Sequence, residues 1–100
     1  MSEFAKKIVL HPNNGYSDAH DPLLSRMIDD KVLLFCAVGK DCELWHDIMD
    51  ELFVGDGSFE HDFFMITTWH TDESLAETIE FAKFFHIDHP DNETVQVIEV

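Results

Sequence analysis

Basic residues are scarce in this chain: six Lys plus Arg stand against 21 Asp plus Glu, a formal net charge of −15 on 100 residues. That deficit excludes the grip on nucleic acid that a basic face provides, and it argues against docking on an anionic membrane. Cysteine is limited to Cys36 and Cys42, too few for a disulfide framework. No apolar run approaches the ~18 residues of a membrane-crossing helix. The start, Met1 to Lys7, lacks the basic-then-apolar order of a signal peptide. No repeat, linker or low-complexity tract interrupts the chain. These absences lead to the expectation of a cytoplasmic protein that contacts neither membrane nor nucleic acid directly.

What is present is enough for a core. Hydrophobic residues make up 45%, with nine Phe and two Trp. Disorder needs low hydrophobicity together with high charge, and only the second condition holds. The length is that of one domain, a single acidic α/β domain over residues 1–100.

Apolar runs alternate with helical patterns. Phe4 to Leu10 reads as a strand. Asp21-Pro22 opens a helix, with Asp as cap and Pro at the first position, and Leu23, Leu24, Met27 and Ile28 form its apolar stripe. Val32 to Val38 is a continuous apolar run, as in a strand covered on both faces of a parallel sheet. Gly39-Lys40-Asp41 turns the chain, and Asp41 caps a helix with Trp45, Ile48, Met49 and Leu52 on one side. Gly55-Asp56-Gly57 stops that helix. Phe63 to Trp69 is the third strand, and Thr71 or Asp72 caps a helix running to about His86. Thr94 to Val100 is a strand suited to an edge. The order βαβαβαβ predicts a small three-layer α/β/α sandwich of four mostly parallel strands, in the order 2-1-3-4.

Ligands of such sheets gather beyond the carboxyl ends of the strands. The loops there offer a candidate cleft of His11, Asn13, Lys40, Asp41, Cys42, Trp69 and His70. Cys42, at a helix start, is the sharpest chemical candidate. With His70 as base it would make a nucleophile–base couple, although Asp41 and Glu43 disfavour a second anion beside them. The ordinary role for Cys42 is a small residue tucked under the helix start. His11, Cys42, His70 and Asp72 are sensible metal ligands by type but lack any dedicated spacing, so no metal site is expected. No glycine-rich phosphate-binding motif follows a strand, so no nucleotide cofactor is expected. The Phe-rich third helix, with Phe81, Phe84 and Phe85, exceeds one apolar stripe. An exposed Phe would suit an interface, for instance a homodimer.

Two stretches carry a resemblance. Gly39-Lys40-Asp41-Cys42-Glu43-Leu44-Trp45 and Ile66-Thr67-Thr68-Trp69-His70-Thr71-Asp72-Glu73-Ser74-Leu75, followed by Phe81-Ala82-Lys83 and His89-Pro90, resemble an uncharacterised bacterial family of small domains. Its pattern is Asp-Cys-x-x-Trp and Thr-Thr-Trp-His before an acidic helix start. The resemblance brings no activity with it. It implies that Asp41, Cys42, Trp45, Trp69 and His70 form one unit, for which packing of Trp45 on Trp69 is the simplest account.

The charge itself suggests the function. Acids in the first turns and outer faces of helices are locally favourable, and adaptation to a salty interior would explain a surplus without any partner. A charge-selected surface explains the shortage of lysine as well. The expectation is a non-enzymatic acidic binding protein, of the inhibitor, immunity or anti-defence type, that takes a basic protein partner through Asp47, Asp50, Glu51, Asp72, Glu73, Glu77 and Glu80. The alternative is an enzyme or small-ligand sensor using Cys42 and His70 in the strand-end cleft.

Overall fold

The two most apolar stretches of the chain, Ile8-Val9-Leu10 and Leu34-Phe35-Cys36-Ala37-Val38, become its two central strands. The computed structural model describes residues 4–55 and 63–100. Strands β1 (Lys7–His11), β2 (Leu34–Val38), β3 (Ile66–His70) and β4 (Val95–Glu99) form one sheet, and every neighbouring pair is parallel. Helices α1 (Asp21–Asp29), α2 (Cys42–Val54) and α3 (Leu75–Phe84) make the crossovers, and a 3-10 turn at Asp18–His20 leads into α1. The expected α/β class is therefore correct.

The strand order is not the expected 2-1-3-4 but 3-2-1-4. The chain steps from β1 to β2 to β3 in one direction, then returns across the sheet to β4. With right-handed crossovers, the two forward steps put α1 and α2 on one face and the reverse step puts α3 on the other. The two halves of the core follow this division. Ile8, Leu10, Phe35 and Ala37 pack with Leu24, Met27, Trp45, Met49 and Phe53. Val9, Leu34, Cys36 and Val38 pack with Ala82 and Ile87, flanked by Leu75 and Ile79. A signal for the correct order was available. All five residues of β2 are buried, whereas β3, Ile-Thr-Thr-Trp-His, buries only His70. A strand with two threonines at its centre belongs at an edge, and β2 belongs inside.

Helix ends also differ from expectation. Asp21 is the first residue of α1 rather than its cap, and its carboxylate accepts the Tyr16 hydroxyl instead. Asp41 does precede α2, but in the left-handed conformation (φ 57°) with no side-chain cap bond. Its carboxylate faces the long loop after β1, where it accepts the Tyr16 N–H at 3.4 Å. Gly15 lies so close there that a Cβ would meet Asp41 Oδ2 at 2.7 Å. Gly55 ends α2, while Asp56 and Gly57 lie outside the described residues. The cap of α3 is Ser74, neither Thr71 nor Asp72. Ser74 Oγ accepts the Glu77 N–H at 3.1 Å and Glu77 Oε1 accepts the Ser74 N–H at 3.0 Å, a reciprocal capping box. Those bonds hold the Glu77 carboxyl below its ordinary pKa.

Lys7 is a fully buried cation in β1. Its Nζ donates to the carbonyl oxygens of Lys83 (3.2 Å), Phe85 (2.5 Å) and Asn92 (2.5 Å). Two of these are last-turn and capping carbonyls of α3, which have no partner within the helix. A lysine from the sheet thus closes the carboxyl end of the helix, where a cation is also favoured by the helix dipole. Burial pulls the ammonium pKa below its ordinary value, opposed by the charges of Asp91 and Glu93.

Candidate functional site

The carboxyl edge of the sheet collects the residues of the expected cleft, but not as one site. His11 ends β1 beside Glu99 of β4, with Nδ1 3.0 Å from Oε1. Asn13 is exposed, and its backbone N–H is used by the Val100 carbonyl at 2.7 Å. Lys40 is exposed in the turn after β2. Asp41 is committed to the Tyr16 loop, as described above.

Cys42 and His70 lie on opposite faces of the sheet. Cys42 is buried at the start of α2, and its Sγ lies 3.9 Å from Thr71 Oγ1. His70 points to the α3 side, where its ring packs edge-on against Phe81 at 4.8 Å. Both ring nitrogens are occupied: Nε2 by Thr68 Oγ1 at 2.8 Å and Nδ1 by Glu73 Oε2 at 3.0 Å. The structure therefore does not assemble the nucleophile–base couple. The other thiol, Cys36, is buried in β2, which pushes its pKa up to about 11. Among the described residues, no group of three or more His, Cys, Asp or Glu is placed to hold a metal ion.

The two tryptophans are also apart. Trp45 is fully buried, clasped by the rings of Tyr16 (5.2 Å, 88°) and His20 (4.9 Å). Trp69 stands on the α2 side of β3, 45% exposed, with its ring 4.5 Å from that of His46. The expected Trp45–Trp69 contact is replaced by these two separate pairs. The reason is the strand order, which carries β3 to the rim and leaves Trp45 under α1.

The acids fare differently. Asp47, Asp50, Glu51, Asp72, Glu73, Glu77 and Glu80 are all exposed. Several also have local work. Asp47 and Asp50 lie 3.0 and 3.5 Å from the two nitrogens of His46, and Asp50 Oδ1 accepts the Thr67 hydroxyl at 2.6 Å. Glu73 orients His70, and Glu77 belongs to the capping box. Glu51, Asp72 and Glu80 have no such partner among the described residues. The α2 acids thus border β3 along its side, and Asp72 and Glu73 border its carboxyl end.

Sequence reasoning missed the rim of β3 itself. Ile66 is 38% exposed, and Phe64 just before the strand is 72% exposed. A recess of about 420 Å³ on the α2 side is lined by Asp50, Phe53, Val54, Met65 and Ile66 among others. A second, also about 420 Å³, is lined by Leu33, Ile66, Ile87 and Asp88 among others. The two central threonines of Ile66-Thr67-Thr68-Trp69 carried the signal, once read as an edge. On α3, Phe84 is 84% exposed and Phe81 is exposed at its margin with its ring against His70 and Phe85, so an exposed Phe exists as expected.

A parallel four-stranded α/β sandwich with an acidic, aromatic-bearing edge is thus the class of protein that the fold defines. The chain belongs to the family described as Domain of unknown function (DUF7684), which matches residues 2–100. Neither the curated proteins nor the solved structures compared with the chain include a match. No helix among the described residues is long and apolar enough to cross a membrane.

Proposed function

We propose that this domain is a non-enzymatic binding protein for a basic protein partner, of the inhibitor, immunity or anti-defence type, in a bacterial or phage setting. The observation that carries the reading is the exposure of all seven named carboxylates around an edge strand, five on α2 and α3 and two, Asp72 and Glu73, in the turn between β3 and α3. Clustered charge of one sign accelerates encounter with the opposite sign, and desolvated apolar residues then hold the complex. Trp69, Ile66 and Phe64 supply that apolar element beside the acids. Such a protein needs no cofactor and would work in the cytoplasm.

The test is capture from a lysate of the source organism at about 0.1 and about 0.5 M salt, where screening lengths differ about twofold. A basic protein should be retained at low salt, weakened at high salt, and lost with Glu51→Lys plus Glu80→Lys, which removes two acids whose side chains have no hydrogen-bond or ion-pair partner among the described residues. Retention that is indifferent to salt and to both substitutions would overturn the reading. Sedimentation of the purified chain distinguishes a homodimer, for which Phe84 is the anchor to mutate.

A further inference from the structure

We infer that the partner presents an extended, basic segment that adds to the outer edge of β3 as a fifth strand; this rests on the reading above and specifies its mode. The first ground is the backbone. β3 pairs with β2 on one side, where the Ile66 N–H donates to the Leu33 carbonyl at 2.9 Å. Backbone polar groups of a strand alternate in direction from residue to residue, so Thr67 and Trp69 turn theirs outward. No strand among the described residues pairs with that side.

The second ground is that the residues of β3 themselves do not defend this edge. Edge strands are ordinarily blunted by lysine, proline or a bulge, because a bare edge templates pairing with another chain. Ile66-Thr67-Thr68-Trp69-His70 contains neither residue. The opposite edge, β4, has no aromatic side chain.

The third ground is that the edge has apolar receptors on both sides. An added strand sends alternate side chains to opposite faces. The recess bounded by Phe53 and Val54 would receive one set, and the recess bounded by Leu33 and Ile87 the other. Main-chain pairing with pockets for alternate side chains is an established way to recognise an extended peptide.

Charge selects the occupant. Asp50 lines one recess and Asp88 the other, with Asp72 and Glu73 at the carboxyl end of the strand. A second copy of this chain would bring two molecules of net charge −15 together on their acidic sides. In a segment alternating Lys or Arg with apolar residues, one recess takes the apolar side chains and the other takes the aliphatic stems, whose charged ends reach the Asp at its rim.

The test uses a synthetic peptide, Lys-Val-Lys-Val-Lys-Ile-Lys-Val, and two N-methylated forms that are isomers of each other, one methylated at the four lysines and one at the four apolar residues. All three carry the same side-chain charge, and affinity is measured by fluorescence or calorimetry at low salt. The parent should bind, and only one isomer should lose affinity, by roughly tenfold or more, because only one set of N–H groups faces β3. Equal binding of all three would overturn strand addition while leaving charge-driven capture standing. Failure of all three to bind would instead remove the acidic-binding reading, and this inference with it. On the protein, Thr67→Pro removes an outward N–H without touching the β2 ladder, and should weaken the parent comparably. Thr67→Val, which keeps the N–H, should not. If Thr67→Pro fails to fold, the two isomers decide the matter alone.

Discussion

Lys7 Nζ lies 2.5 Å from the carbonyl oxygen of Phe85, so a buried cation of the first strand terminates the last helix. The contact joins residues 78 positions apart and fixes α3 against the sheet at the point where the chain turns toward β4. Lys7→Met keeps the aliphatic stem but leaves three buried or half-buried carbonyls without their donor. We expect a loss of about 2–3 kcal/mol in urea unfolding, since unsatisfied buried groups cost ~1–3 kcal/mol each and some regain water. An unchanged midpoint would show that those carbonyls are solvated without Lys7.

The capping box makes a smaller and more local prediction. Ser74→Ala should cost about 1 kcal/mol, the usual loss for an N-cap serine. Amide exchange should quicken in the first turn of α3 and remain unchanged in α1. Uniform exchange across the chain after this substitution would place the effect elsewhere.

Acid stability follows from two carboxyls whose pKa values folding lowers. Bonds from Ser74 hold Glu77 below 4.5, and bonds from the Thr94 and Glu93 amides hold Asp91 below 3.8. A lowered folded pKa stabilises fully above the unfolded value and is lost as pH falls through the folded one. Both groups therefore contribute at neutral pH and fade in the acid range, starting near those two values. Glu77→Gln should make the pH–stability curve shallower below about pH 4.5; an unaltered acid limb would count against the assignment.

The alkaline range is read through the only tyrosine in the chain. Its hydroxyl donates to Asp21, which pushes the Tyr16 pKa from 10.0 up to about 12. Folding therefore favours the protonated phenol, and the associated stability is complete below pH 10.0 and lost as pH rises toward about 12. Burial of Lys7 acts in the opposite sense below 10.5, so phenolate absorbance is a cleaner measure than stability. The native protein should titrate near 12 and Asp21→Asn nearer 10. A normal titration in the native protein would refute the bond.

Thiol chemistry separates a binding protein from a nucleophilic enzyme. Cys36 and Cys42 are both buried, and Cys42 Sγ faces the Thr71 hydroxyl while His70 is engaged by Thr68 and Glu73. Near neutral pH, alkylation of either should be slow in the native state and rapid in denaturant. Fast native alkylation of Cys42, abolished by His70→Ala, would restore the catalytic alternative.

The elements of the fold were legible because each rests on local physics. The apolar run ending at Val38 could only be a doubly covered strand, and the Asp41 turn preceded a helix as its residue type suggests. Caps were less legible: Thr71, Asp72 and Ser74 are all competent, and only the position of Glu77 three residues after Ser74 completes a box. The site was legible in part. The exposure of Asp47, Asp50, Glu51, Glu77 and Glu80 was legible because it follows from the periodicity of an amphipathic helix. The cleft was not, because His70 and Trp69 lie on opposite faces of β3, and which of them meets Cys42 depends on the face to which α2 crosses.

The sequence by itself determined that this chain is acidic on its outside, apolar within, and built of strands alternating with single helices. Those properties depend on composition and on periods of two and 3.6 residues, which neighbours in space do not alter. Only the tertiary structure decided that β3 is an edge, that Trp69 faces out against His46, and that Lys7 closes α3. In a parallel sheet a side chain's pattern reports whether a strand is covered but not which strand lies next to it. That choice belongs to the whole chain, through the direction of each crossover and the packing of both faces at once.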